Sequence, residues 1–138
     1  MKYKPLPVGI DRFDELILGS YYYVDKTWFI KELLDLKGKV NLFTRPRRFG
    51  KTLNISMLQY YFENTGENEW NERNRSLFQG MKIMEADDTY LAKMNAFPVI
   101  NLSLKSGKQP SYELAFGCLV KKSPENTNAI YRFLTAEN

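Results

Sequence analysis

An α/β fold, in which helices flank a parallel sheet, is the architecture that this sequence predicts, and three observations lead to it. Two apolar segments, 39–43 and 97–104, are short and rich enough in β-branched and aromatic residues to be strands. A segment whose apolar residues recur at helical spacing follows the first of them. Strands that alternate with helices favour a parallel sheet, because helical crossovers join strands that run in the same direction.

Two helices are predicted ahead of the first strand. Residues 10–18 place apolar side chains at the spacing of a short amphipathic helix, and the β-prone run 21–24 follows. Asp25 is a suitable N-cap for the second helix, and Gly38 is a suitable C′ residue at its end. The buried stripe of this second helix is predicted to consist of Trp28, Phe29, Leu33, Leu34 and Leu36.

The segment after the first strand is predicted to be helical from Lys51 to about residue 64. Its apolar residues follow a spacing of three and four, which is the pattern of a helix that packs one face on a core. They are Leu53, Met57, Leu58, Tyr61 and Phe62. We interpret the consecutive aromatic residues 60–62 as core rather than as a platform for stacking bases.

The predicted sheet is incomplete. Strand 97–104 should lie parallel to strand 39–43, with the helix that starts at Lys51 packed on one face. Two strands are fewer than a stable sheet usually needs. We therefore expect residues 21–24 to add an edge strand, or a protein partner or a second copy of the chain to complete the sheet.

Length and composition limit the classes of protein. The 138 residues, of which 43% are hydrophobic, suit one partial domain over 1–138, with further helices expected at 111–122 and 125–138. Histidine is absent, which excludes Ser-His-Asp and Cys-His nucleophiles and histidine-based zinc sites. The N-terminus resembles no signal peptide, no apolar run could span a membrane, and there is one cysteine. We expect a cytoplasmic protein with no membrane partner.

The positive charge is concentrated in one segment. The chain has a net charge of +4, whereas residues 39–52 contain five basic residues and no acid, so the remainder sums to −1. These five residues are Lys39, Arg45, Arg47, Arg48 and Lys51. An anionic ligand is therefore expected to bind at this loop rather than over a diffuse cationic surface.

The basic loop ends in Gly50-Lys51-Thr52, the last three letters of the phosphate-binding motif G-x-x-x-x-G-K-[ST]. A strand-like run precedes it and an amphipathic helix follows, which is the setting of a P-loop. The first position of the motif is Arg45 instead of glycine, and Pro46 favours an extended Arg45, so the loop is expected to be wider than usual. The nucleotide-binding residues predicted from this motif are Arg45, Pro46, Arg47, Arg48, Phe49, Gly50, Lys51 and Thr52.

Each residue at the end of the motif has a predicted role. Gly50 allows the backbone to approach phosphate oxygens closely, and the first amides of the following helix point at the anion. Lys51 reaches the β- and γ-phosphates and would stabilise their charge if the chain is catalytic. The Thr52 hydroxyl can ligate Mg²⁺.

Three blocks of sequence resemble the predicted AAA-ATPase-like family of prokaryotic P-loop proteins. They are Leu6-Pro7-Val8-Gly9-Ile10, Tyr23-Val24-Asp25-Lys26-Thr27 and Arg45-Pro46-Arg47-Arg48-Phe49-Gly50-Lys51-Thr52. The resemblance extends over about residues 5–115, and it makes Arg45 the family's own variant of the loop. It implies a P-loop NTPase domain that binds ATP and Mg²⁺, often fused to a domain similar to PD-(D/E)XK nucleases. We expect this chain to correspond to the N-terminal part of such a protein, shortened or diverged after about residue 120.

The function predicted from these features is Mg-ATP binding with weak or no hydrolysis. ATP is favoured over GTP because no Asn-Lys-x-Asp guanine signature is present. Hydrolysis needs an acid that holds Mg²⁺, and no acidic strand of the Walker B type is found. Two alternatives remain: a nucleic-acid or partner-binding module that uses the loop 45–48 on phosphates, and an inactive remnant. Asp25 is interpreted as a helix cap, with nucleotide contact as its alternative role.

Overall fold

The structure, a computed structural model, describes residues 3–44, 46, 49–101 and 110–114. Helices dominate these residues, and turns and irregular segments connect them. In chain order they are α1 (Phe13–Leu18), α2 (Trp28–Leu36), α3 (Lys51–Phe62), α4 (Asn68–Ser76), a 3₁₀ helix (Lys82–Glu85) and α5 (Asp88–Leu91). The helices predicted at 111–122 and 125–138 lie largely or wholly outside the described residues.

The predicted parallel sheet is wrong. Residues 39–43 are irregular, and Val40 and Leu42 are 88% and 85% exposed instead of buried in a sheet. Residues 21–24 form no edge strand either, and the described part of 97–104 has one isolated parallel bridge, from Phe97 to Glu63 at the end of α3. Apolar, β-branched sequence becomes a strand only where another strand pairs with it, and no such partner lies beside these segments in the described residues.

The core forms between α1, α3 and the segment after α4. The ring of Phe13 stacks on that of Phe78, with centroids 5.0 Å apart, and Tyr61 meets Phe78 edge to face at 5.3 Å. All three side chains are fully buried, as is Met57. The interpretation of residues 60–62 as core is confirmed, since Tyr61 is buried and both neighbours pack against the same cluster.

Polar contacts orient α1 on the rest of the core. The backbone amide of Phe13 donates to the buried Ser56 hydroxyl of α3 at 3.0 Å. The Asp14 carboxylate, also buried, accepts from the guanidinium groups of Arg12 at 2.9 Å and Arg73 at 3.3 Å. Burial alone would raise the pKa of Asp14, but the hydrogen bond from Arg12 and the other favourable contacts hold that pKa below its usual value. Asp14 thereby joins α1 to α4.

Helix α2 is shorter than predicted, and its buried face differs. It begins at Trp28, three residues after Asp25, and Lys37 rather than Gly38 takes the left-handed conformation at its end (φ 48°). Ile30 is its fully buried residue. Of the predicted stripe, Phe29 and Leu34 pack partly buried against the core, whereas Trp28 and Leu36 are exposed. Trp28 therefore lies on the solvent-exposed side of the helix start.

Candidate functional site

Helix α3 begins after a glycine in the left-handed conformation. Gly50 is the N-cap residue and adopts the left-handed conformation, with φ 72° and ψ 18°. Its carbonyl accepts from the amide of Asn54 at 2.9 Å, which closes the first turn. A side chain here would meet no atom within 4 Å but would strain the backbone, since L-residues rarely adopt this φ.

The N-terminus of α3 is electropositive. Within the described residues no side chain caps it, and its first turn contains no acid. The first amides of a helix have no intrahelical acceptor, and the helix dipole adds partial positive charge at this end. Lys51 and Thr52, the first two helical residues, are both exposed. The first amides, the positive end of the helix dipole and the exposed Lys51 residue are thus at the same end of α3, an arrangement that favours an anion.

The structure brings together half of the predicted nucleotide-binding residues. Phe49, Gly50, Lys51 and Thr52 lie consecutively at the helix start, and Pro46 is exposed in the loop before them. Arg45, Arg47 and Arg48 lie outside the described residues, so their predicted phosphate contacts stay predictions.

A pocket of about 380 Å³ opens between α2 and the start of α3. Its lining combines residues of both helices with the loop that joins them: Lys26, Trp28, Phe29, Glu32, Phe43, Phe49, Lys51, Asn54, Ile55 and Leu58. Lys51 and Phe49 were predicted site residues, whereas the aromatic wall, Glu32 and Asn54 were missed. Helical spacing could have indicated that Trp28 and Glu32 line one pocket, because they are four residues apart and share a face of α2.

Asp25, whose alternative predicted role was nucleotide contact, makes hydrogen bonds within the fold. One carboxylate oxygen accepts from the Thr27 amide at 2.8 Å and the Thr27 hydroxyl at 2.6 Å, and the other accepts from the Lys82 amide at 2.8 Å. The Thr27 hydroxyl in turn accepts from the Ile83 amide at 3.2 Å. The N-cap residue of α2 is Thr27, so Asp25, the predicted cap, lies two residues before the cap position and accepts from the Thr27 amide. Asp25 joins the segment before α2 to the 3₁₀ helix, with both oxygens occupied.

Metal-ligating side chains are not clustered in the part of the chain that the structure describes. No group of three or more aspartate, glutamate or cysteine side chains there is arranged to hold an ion. The donor that the motif offers is the Thr52 hydroxyl, a hard oxygen ligand of the kind that Mg²⁺ accepts.

Among the residues that the structure describes, no helix has both the length and the apolar character to cross a membrane. The cytoplasmic location stays a prediction.

Comparison with known proteins finds one matching family model. Residues 7–134 match the model described as a predicted AAA-ATPase. The chain is also 34% identical over 108 residues to an uncharacterized protein encoded in the vnfD 5′ region of Azotobacter chroococcum mcd 1. That match includes 78% of this chain but 18% of the relative's length. No solved structure matches.

Proposed function

Because this chain belongs to the predicted AAA-ATPase family, we propose that it binds Mg-ATP through residues 45–52 and the start of α3. One observation supports this most: Gly50 holds a left-handed conformation at the start of a 12-residue helix that opens with exposed Lys51 and Thr52, and no side chain among the described residues caps this helix end. A glycine of this geometry before such a helix leaves room for phosphate oxygens beside the amides.

The phosphates are bound by charge and by hydrogen bonds from the chain. The amides at the start of α3 donate to phosphate oxygens, and the Lys51 ammonium neutralises charge at the β- and γ-positions. The Thr52 hydroxyl would hold Mg²⁺, which would neutralise further charge on the phosphates. The excess of basic residues in 39–52 attracts the anion to this end of the helix.

Turnover is proposed to be slow in this chain. Phosphoryl transfer needs a group that orients the attacking water and usually a second acidic anchor for the metal. The carboxylate on the pocket wall is that of Glu32, which α2 presents among aromatic rings. No acidic strand end beside the loop supplies the second anchor, because the described residues contain no strand at that position. Binding is therefore expected to exceed hydrolysis.

Calorimetric titration with Mg-ATP tests this proposal. Lys51→Ala should weaken binding by about 1.5–3 kcal/mol, the range for hydrogen bonds to charged groups. Lys39→Ala is the matched control, since it removes the same charge from the same basic segment, at an exposed position that does not line the pocket. We expect Lys39→Ala to retain affinity within about threefold, which is about 0.6 kcal/mol.

Other outcomes would replace the proposal. Equal losses in the Lys51 and Lys39 variants would indicate non-specific attraction to the loop. Binding of single-stranded DNA without binding of Mg-ATP would favour the nucleic-acid module that contacts phosphates through residues 45–48. Binding of neither ligand would leave the partner-binding and inactive alternatives.

A further inference from the structure

Four aromatic rings surround the pocket between α2 and the start of α3. They belong to Trp28, Phe29, Phe43 and Phe49. Three of them are well exposed: Trp28 at 40%, Phe43 at 45% and Phe49 at 57%. Single exposed apolar residues are common, but several rings around one concavity are typical of ligand sites. Trp28, Phe43 and Phe49 are not part of the buried core cluster, whereas Phe29 packs partly buried against it.

Two contacts orient three of the side chains that line the pocket. The rings of Phe29 and Phe43 meet edge to face, with centroids 5.1 Å apart and an interplanar angle of 72°. The Lys31 ammonium lies 5.7 Å from the centroid of the Trp28 ring. The volume of about 380 Å³ is within the range of small-molecule pockets, which begins near 300 Å³.

The pocket is continuous with the phosphate site proposed above. Lys51 and Asn54 line it from the first turn of α3, so a planar group inside the pocket would be adjacent to phosphates bound at the helix start. Polar groups also lie on its wall. The Asn54 side-chain amide has one acceptor and two donors, the pairing used for the N6 and N7 edge of adenine, and the Glu32 carboxylate accepts from an exocyclic amine.

We propose that this pocket is the subsite for the purine ring of the bound nucleotide, with Trp28 and Phe49 as its stacking surfaces. The proposal rests on the function proposed above, because the phosphate site next to it determines which ligands enter. Stacking of a base on aromatic rings adds affinity that the phosphates alone do not provide. The chain should therefore bind ATP more tightly than it binds inorganic tripolyphosphate, although both have the same phosphate chain.

Titrations of the full chain with Mg-ATP and with Mg-tripolyphosphate separate the two parts of the site. Trp28→Ala and Phe49→Ala should each lower the ratio of Mg-ATP affinity to Mg-tripolyphosphate affinity about 5- to 150-fold, the range for base stacking. Trp28 lies outside residues 45–52, so Trp28→Ala should leave tripolyphosphate binding unchanged. Trp70→Ala is the matched control: it removes a tryptophan of similar exposure (49%) that does not line the pocket, and both affinities should stay the same. Circular dichroism verifies that each variant is folded.

Tryptophan fluorescence supplies an independent reading. In a Trp70→Phe background, Trp28 is the sole tryptophan, and stacking of the base should quench its emission upon addition of Mg-ATP but not of Mg-tripolyphosphate. The subsite proposal alone is wrong if Lys51→Ala weakens the binding of both ligands while Trp28→Ala and Phe49→Ala leave the ratio of ATP affinity to tripolyphosphate affinity unchanged. The proposed phosphate site is wrong if Lys51→Ala changes the affinity for neither ligand. Either pattern overturns the subsite.

Discussion

Replacement of Asp25 by alanine should destabilise the fold without removing nucleotide affinity. The carboxylate accepts three hydrogen bonds, from the Thr27 amide, the Thr27 hydroxyl and the Lys82 amide, at 2.6–2.8 Å. Hydrogen bonds to a charged group are each worth about 1.5–3 kcal/mol, but they are not additive, and water can replace the carboxylate at the solvent-accessible Lys82 amide. We therefore expect Asp25→Ala to lower the free energy of unfolding by about 2–4 kcal/mol.

The loss should depend on pH in a defined direction. Partial burial raises the pKa of Asp25, but the hydrogen bonds from Thr27 and from the Lys82 amide outweigh it and lower the folded-state pKa below the ordinary 3.8. A carboxylate with a depressed pKa contributes stability above its unfolded-state pKa and loses it as the pH falls through the folded-state value. The difference between wild type and Asp25→Ala should therefore be full at neutral pH and shrink below about pH 4.

Urea unfolding followed by circular dichroism measures this effect. Asp11→Ala serves as the control, because it removes an exposed aspartate just before α1 and should leave the unfolding midpoint nearly unchanged. If Asp25→Ala retained wild-type stability and instead lost affinity for Mg-ATP, the structural role would be refuted and Asp25 would be a nucleotide contact.

Two further predictions concern the end of α3 and the chemistry. Burial raises the pKa of Glu63 above its ordinary 4.5, despite a hydrogen bond from Gln59, so charged Glu63 opposes folding at neutral pH. Glu63→Gln should raise the free energy of unfolding by about 0.5 kcal/mol at pH 7, measured by urea unfolding. The gain should disappear below about pH 4.5, because wild-type Glu63 is then protonated in both the folded and the unfolded state. An equal gain at low pH would contradict this cause. Phosphate release at saturating Mg-ATP should stay far below about 1 s⁻¹, whereas turnover of about 1–100 s⁻¹ abolished by Lys51→Ala would reveal an unrecognised catalytic acid.

Local sequence signals predicted the helices well and the sheet badly. Helix α3 begins at Lys51 as predicted, because its start depends on the glycine before it and on spacing within one segment. Strands depend on partners elsewhere in the chain, which no local pattern identifies. The run 39–43 has strand-like composition, but in the described residues it lies exposed, and Phe97 pairs with Glu63 after α3 through a single bridge.

The parts of the candidate site also differ in how far the sequence indicates them, and the phosphate-binding role of the motif stays a prediction. The motif ending in Gly50, Lys51 and Thr52 can be identified from the sequence because its residues are consecutive and each has a distinct physical role. The sequence did not predict the aromatic lining of the pocket, because Trp28 has the spacing of a core residue in α2 and Phe43 belongs to a predicted strand. Which side of a helix meets the core depends on tertiary packing, and packing alone turned these rings toward the start of α3.

The most direct test of the central claim is a titration of the isotopically labelled chain with Mg-ATP, observed through its backbone amide resonances. If phosphates bind at the start of α3, the amides of residues 50–53 should show the largest saturable shifts, and Lys51→Ala should reduce the affinity read from them. Saturable shifts confined to other segments, or no shift at residues 50–53 while Mg-ATP binds, would contradict the claim that this helix start is the phosphate site.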